Sequence, residues 1–336
     1  MNRSRSAFVA SAGAAIATIA VVGRARPASA PLSAKAGTSQ PPDHPMTVAM
    51  KNLWAGVRQA TKGKLDVSVI GSDVLGGSAA IVAKLNAGEL QFATIEGGML
   101  AAAVPAAAVQ SVGFAFRSSS DACQAFDGAL GAYVRGEFAK KDMFAFPKIW
   151  DGGMRNITSG SHAIKGPRDV EGFRIGTARA DASALFSSLG AQPVPVRFSE
   201  LYTALQSRTF DGTENQLAFI DQARLADVQP YLCLSQHIWN GYWLFANNTF
   251  WTSLSPDVQN VVIRNASTVA VRQRGDMRLL TTSLGEKLAR RGMAVTLADR
   301  AAMVAHLGAG RYYEQRRGEV GSTAYALLEA HTGPLK

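Results

Sequence analysis

Twice along this chain an alternating run, a helical run and a second alternating run follow one another at the spacing of a crossover unit. In the first block, Met46, Met50, Leu53, Trp54 and Val57 share one helical face over residues 46–61, and Gly63 ends that helix. Leu65-Asp66-Val67-Ser68-Val69 alternates like a strand, Gly76-Gly77 opens a helix that runs through Leu85 to Gly88, and Leu90 to Ile95 reads as the next strand, ending at Glu96. In the second block Phe173 to Thr177 reads as a strand, Asp181 to Leu189 as a helix closed by Gly190, and Val194-Pro195-Val196 as a strand. Ser199 then suits the cap of a helix running to about Ser207, and Phe210 to Glu214 forms a short strand ending at Asn215. Strand–helix–strand at this spacing needs parallel strands joined by crossovers, which makes the chain α/β with one block before about residue 150 and one after.

Beyond the blocks, Ser255-Pro256 gives a helix start with proline in the first turn. The helical pattern continues to about Arg291, interrupted at Gly275 and Gly285, so it is either one bent helix or two. More than ~25 residues of helix span ~38 Å at 1.5 Å per residue, enough to cross from one lobe to another. The stretch from Asp299 to Glu329 is mostly helical.

The first 30 residues differ from the rest. Arg3 and Arg5 precede an apolar, small-residue stretch from Ala7 to Val22, and Pro27-Ala28-Ser29-Ala30 resembles a processing site, which together describe a secretory signal over residues 1–30. Pro31 is a poor neighbour for cleavage after Ala30, so the cut falls somewhere between about residues 25 and 34. An N-terminal anchor is the alternative, but the stretch falls short of the ~20 strongly apolar residues of a bilayer span. The mature chain is therefore expected in the periplasm, without stable membrane insertion. Four leader arginines account for part of the net charge of +10, and the other basic residues are scattered. Nucleic-acid binding calls for a clustered basic stripe or a recognisable module, and a solvated basic face is the expectation instead. Cys123 and Cys233, far apart, are expected as buried free thiols.

Catalytic patterns are missing. The five histidines are scattered, with no paired metal-ligand spacing, and no Gly-x-Ser-x-Gly elbow occurs. Neither an enzyme, a metal site nor a cofactor is expected. Polar residues do collect where strands end: Glu96, Arg155, Arg179 and Asn215. In open α/β sheets, ligands sit beyond the carboxyl ends of the strands.

The wording of these segments carries more than their pattern. Gly153-Met154-Arg155, Gly166-Pro167-Arg168-Asp169-Val170-Glu171-Gly172-Phe173-Arg174-Ile175, Leu189-Gly190-Ala191-Gln192-Pro193, Phe198 to Gln206 and Asp211-Gly212-Thr213-Glu214-Asn215 occur in this order, with His237 following. In this the chain resembles the DctP-type solute-binding proteins of TRAP (tripartite ATP-independent periplasmic) transporters, over essentially its whole mature length. The resemblance implies a two-lobed periplasmic-binding-protein, or clamshell, fold with mixed, largely parallel sheets and a long helix spanning both lobes. Lobe I would combine residues 31–152 with 241–280, and lobe II residues 153–240 with 281–336. It also implies capture of a small metabolite, an organic acid by preference, and delivery to TRAP membrane permease subunits. Glu96, Arg155, Phe198 and Asn215 match family pocket positions.

One departure bears on the ligand. Carboxylate-binding members resembling this chain carry an arginine in a Lys-x-Arg-x-Pro-like segment, where Arg174-Ile175-Gly176-Thr177-Ala178-Arg179 has Gly176. A charge-assisted hydrogen bond is worth about 1.5–3 kcal/mol, so its loss must be offset or the ligand must differ. In one reading Arg179 or Arg155 takes over the pairing and the ligand is an organic acid, which is our working expectation. In the other, Gly176 makes room for a non-carboxylate or cationic ligand, with Asp151 and Glu96 supplying charge and Trp150, Phe198 and Trp239 an aromatic wall. A clamshell of this kind also serves ligand sensors, and the sequence does not separate the two uses.

Overall fold

A computed structural model describes residues 31–71, 75–76 and 78–336. The leader read over residues 1–30, and Gly77 at the expected opening of the second helix, lie outside the described residues. The described residues form eleven strands: β1 (Leu32–Thr38), β2 (Leu65–Ile70), β3 (Phe92–Glu96), β4 (Met143–Ala145), β5 (Trp150–Ser159), β6 (Arg174–Thr177), β7 (Gln192–Pro195), β8 (Gly212–Gln216), β9 (Tyr231–Leu234), β10 (Trp239–Asn247) and β11 (Ala294–Leu297). The helices are α1 (Pro45–Ala60), α2 (Ser78–Asn86), α3 (Ser119–Asp127), α4 (Ala129–Ala139), α5 (Ala180–Ser188), α6 (Leu201–Gln206), α7 (Leu217–Gln222), α8 (Asn248–Ser253), α9 (Pro256–Arg290), α10 (Arg300–Ala309), α11 (Tyr312–Val320) and α12 (Ser322–Thr332).

The main path of the sheet runs β2-β1-β3-β10-β5-β8-β6-β7. At one end β1 lies parallel to β2 and β3, and at the other β6 lies parallel to β7 and β8, as the two crossover blocks require. Between them β10 and β5 pair antiparallel with each other, with β3 and with β8, and the β5–β10 register shifts between Trp239 and Gly241. These two strands join two half-sheets, and neither has an exposed face: every residue of β5 is buried, and all of β10 except Asn247.

Apolar packing follows this division. Trp54, Phe92, Trp150 and Trp251 gather under α1 and the first half of α9, while Leu201, Phe210, Ile220 and Leu288 gather under α6, α7 and the end of α9. A third and larger core runs from Ile81 and Phe126 through Trp239 to Phe186 and Tyr325. Helix α9 is continuous through Gly275 and Gly285, with no kink between two helices. Its 35 residues correspond to ~52 Å at 1.5 Å per residue, and it packs on α1, β5 and α7 in turn. At mid-length the fully buried Gln273 receives the Asp151 N–H on Oε1 at 3.0 Å and donates through Nε2 to the Asp151 carbonyl at 2.7 Å. The helix is thereby fastened to the strand that links the half-sheets.

Two local expectations differ. Ser199 does not cap a helix; residues Phe198–Glu200 form a 3-10 turn that precedes α6. The segment 312–332, read with the second lobe, lies against residues 105–138: Tyr312 Oη accepts from Gly113 N at 2.9 Å, Tyr313 Oη donates to the Gly113 carbonyl at 3.2 Å, and α12 packs on α4.

Candidate functional site

The carboxyl ends of β3, β6 and β8 converge on a cavity of about 400 Å³ between the half-sheets. Glu96, His44 and Met99 line it from one side, and Arg179, Phe198 and Asn215 from the other. Arg155 of β5 and Asn240 and Tyr242 of β10 form the wall between them. Hollows of about 670, 740 and 650 Å³ open elsewhere, but none gathers strand ends from both half-sheets.

Arg155 enters from β5 opposite Gln216 of β8 and is 2% exposed. Its guanidinium forms a fork on Glu214, with Nε donating to Oε2 and Nη2 to Oε1 at 2.8 Å. Nη2 also donates to the Glu214 carbonyl at 2.9 Å and to Asn215 Oδ1 at 3.2 Å, while Nη1 reaches Gln216 Oε1 at 3.4 Å. Burial alone would raise the Glu214 carboxyl, but the charge of Arg155 and the hydrogen bond from His237 hold it below the ordinary carboxylate range. His237 Nε2 donates to Glu214 Oε2 at 3.1 Å and Nδ1 accepts from Ser235 Oγ at 2.8 Å, so burial leaves the ring neutral in the Nε2–H form.

Arg179 stands at the amino end of α5, where its Nη1 meets Glu96 Oε1 across the cavity. Its Nε donates to Asp181 Oδ1 at 2.9 Å, and Nη2 donates to Asp181 Oδ2 and to Ser111 Oγ, the latter at 3.2 Å. Burial opposes ionisation of Asp181, yet the adjacent Arg179 pulls its carboxyl far below the usual value. Arg179 therefore ties a strand end of one half-sheet to the other.

Two further groups complete the wall. His44 caps α1, with Nδ1 accepting from Met46 N at 3.2 Å, and burial pushes its pKa down to about 4. A neutral ring whose Nδ1 is an acceptor carries its proton on Nε2, which makes it a donor. Asn240 is 1% exposed and its Oδ1 has no partner among the described residues. Phe198, half exposed, packs tilted against Phe219 with centroids 4.9 Å apart, giving the cavity an apolar rim.

Of the residues singled out from the sequence, Glu96, Arg155, Arg179, Phe198 and Asn215 are brought together here. The other four are placed elsewhere. Trp150 is fully buried in the core under α1. Trp239 sits among Phe116 and Phe126 and donates Nε1–H to Asp151 Oδ1 at 2.8 Å, so this aromatic and this acid satisfy each other. Asp151 also accepts from Gly153 N at 2.8 Å, and faces the 650 Å³ hollow beside α3 and α9. Gly176 opens no space for a ligand, because a Cβ there would lie 2.5 Å from the ring of Phe210 and face the core beneath α6. Glu214, Asp181, His44 and Asn240 are members that the strand-end reading did not include. Cys123 and Cys233 are free and buried, and burial pushes their thiols up to about 12 and about 11.

No helix among the described residues is long and apolar enough to cross a membrane, and no group of metal-ligating side chains occurs among them. The sequence profile of a family described as bacterial extracellular solute-binding protein, family 7, matches residues 36–311. A solute-binding protein of Roseobacter denitrificans is 31% identical over 249 residues, covering 73% of this chain and 75% of that protein. An uncharacterized protein of Sinorhizobium fredii, y4mM, is 33% identical over 237 residues; the match spans 70% of this chain and 44% of that longer protein. Among solved structures, a TRAP periplasmic solute-binding protein from Ochrobactrum anthropi superposes with a TM-score of 0.85 at 25% identity, covering 89% of this chain and 94% of that one. The sugar acid binding protein DctPAm from Advenella mimigardefordensis, in complex with galactonate, does so with a TM-score of 0.81 at 25% identity, covering 90% and 98%.

Proposed function

Because the chain belongs to family 7 of the bacterial extracellular solute-binding proteins, the DctP family of TRAP transporters, we propose that it captures a small hydroxylated organic acid between its two lobes. The exported protein would then deliver that acid, chemically unchanged, to a TRAP membrane permease from the periplasm. Family members are substrate-binding transport proteins with a two-lobed clamshell fold. The observation that carries the ligand reading is the cavity wall itself. Two buried guanidiniums, the Nε2–H of His44 and the Asn215 amide offer donors, while the unpartnered Asn240 Oδ1 offers an acceptor. A galactonate complex of a structural neighbour at 25% identity supports the same ligand class.

The lobes would follow the half-sheets, roughly residues 31–152 with 241–280 and 153–240 with 281–336, except that segment 312–332 packs with the first. Strands β5 and β10 and helix α9 would flex between an open and a closed form. A ligand touching Glu96 and His44 on one side and Arg179 and Asn215 on the other binds only the closed form and shifts the population towards it.

A thermal-shift screen of the mature chain tests this, using aldonates, uronates, C4-dicarboxylates, amino acids, amines and neutral sugars. A ligand at ~100 times its Kd adds about 2.7 kcal/mol to stability, a clear rise in melting temperature. We expect the hits among carboxylates bearing hydroxyl or amino groups. Hits confined to compounds without a carboxylate would refute the organic-acid reading.

A further inference from the structure

The charges around the cavity do not balance, and the imbalance has a sign. Two guanidiniums, Arg155 and Arg179, face three carboxylates, Glu96, Asp181 and Glu214. Glu214 matches Arg155 through a fork, and Asp181 holds Arg179 through two of its nitrogens. Glu96, 7% exposed, shares Arg179 with Asp181 through Nη1, so the cluster carries one carboxylate more than its guanidiniums balance. The neighbouring titratable groups do not offset it: His44 and His237 are neutral, and Tyr242 is held in its phenol form by burial. A plain anion entering here would add a second negative charge to a cluster already net negative, where water screening is weak.

The cavity wall also carries donors and acceptors together. Tyr242 of β10 registers opposite Glu96 of β3 and Asn240 stands two residues before it on the same strand, so Glu96 and the orphaned Asn240 Oδ1 are the acceptors of the wall. Donors come from Arg155 Nη1, whose contact among the described residues is the 3.4 Å one to Gln216, and from the His44 Nε2–H. From this excess of one carboxylate we infer that the ligand is a zwitterion, a small hydroxylated acid that also bears a cationic nitrogen. Its ammonium lies against Glu96 and Asn240, and its carboxylate against Arg155, Asn215 and His44. This rests on the organic-acid reading and narrows it. Glu96 is thereby the specificity-determining residue, because an ammonium restores charge balance where a hydroxyl does not.

The test is isothermal titration calorimetry of the mature chain with matched pairs that exchange a hydroxyl for an ammonium: D-gluconate and 2-amino-2-deoxy-D-gluconate, L-malate and L-aspartate, D-glycerate and D-serine. We expect the amino member of at least one pair to bind tenfold or more tightly than its partner. Glu96→Gln should reduce that preference to threefold or less. Plain acids binding as tightly as their amino partners, or a preference that survives in Glu96→Gln, would overturn the inference and leave the organic-acid reading standing. Binding by no carboxylate of either kind would overturn both. Should the variant fail to fold, the ratios of the unaltered protein decide.

Discussion

Arg155 has the position of a ligand-binding arginine and also the contacts of a structural strut, and replacing it tests the strut. In Arg155→Ala the Glu214 carboxylate, itself 1% exposed, loses both members of its fork, and its own carbonyl and Asn215 Oδ1 each lose a donor. Only His237 Nε2 at 3.1 Å would remain on Glu214. Removing one partner of a buried ion pair costs about 3–5 kcal/mol, because the other charge is left desolvated and unpaired. With a urea m-value near ~3 kcal/mol per molar, the unfolding midpoint should fall by about 1–1.7 M at unchanged m. Arg155→Ala with Glu214→Ala should cost clearly less than the two single variants together, with a coupling of about 2 kcal/mol or more, since the double variant buries no lone charge. Urea unfolding of the four proteins at pH 7, followed by far-UV circular dichroism, measures all of this. A loss under ~1 kcal/mol in Arg155→Ala, or single effects that add within ~0.5 kcal/mol, would refute the strut.

Other consequences follow from the same contacts. Gly176→Ala places a methyl 2.5 Å from the Phe210 ring and should lower stability by about 1–3 kcal/mol, while Phe210→Leu in the same chain should recover part of that loss; equal stability of Gly176→Ala and the parent in urea would show that the ring yields freely. Stability should also decline as pH falls below ~6.5, where unfolded histidines take up protons that His44, with its pKa pushed down to about 4, and His237 refuse in the fold. Below pH ~4 the decline should continue as the unfolded chain takes up protons that Glu214 and Asp181, both depressed in the fold, refuse. His44→Asn keeps a capping side chain and should flatten the part between pH ~6.5 and ~4, by up to ~3 kcal/mol at the acid end, measured as melting temperature against pH. Gln273→Ala removes both bonds to the Asp151 backbone and should raise hydrogen exchange at Asp151 relative to the core of β3, with protection unchanged if α9 merely rests on the strand.

How much of this was legible in the sequence depended on whether an element has an outside. Strand β2 alternates between core and solvent and α1 shows one apolar face, so both were visible from residue spacing. Strands β5 and β10, buried on both faces, carry no period-two signal, and neither was marked as a strand although they join the half-sheets. Strand β1, Leu-Ser-Ala-Lys-Ala-Gly-Thr, is made mostly of small residues because it runs between β2 and β3; Gly37 has Leu90 and Leu75 so close that a Cβ would lie 2.6 Å and 2.9 Å from their side chains. In the site, strand ends and family wording located Glu96, Arg155, Arg179 and Asn215. Partners were invisible where contact is made across the chain, as for Arg155 and Glu214, 59 positions apart.

The residues that misled are as informative as those that did not. Trp150, Asp151 and Trp239 look like a polar-aromatic wall because sequence shows residue type but not the direction in which a side chain points. In the fold Asp151 and Trp239 are turned towards each other, and Trp150 into a core. The same limit applies to charge. Counting Arg155 and Arg179 alone makes the cavity a receptor for anions, and only the positions of Glu96, Asp181 and Glu214 show that these guanidiniums are already engaged. Apart from Arg155 Nη1, an anion can claim them only by displacing a carboxylate of the protein, and a buried carboxylate so displaced needs a new partner. A ligand that brings its own cation supplies that partner. The arginine absent at Gly176 therefore does not have to be replaced by another arginine, because in a zwitterion the carboxylate arrives already half balanced.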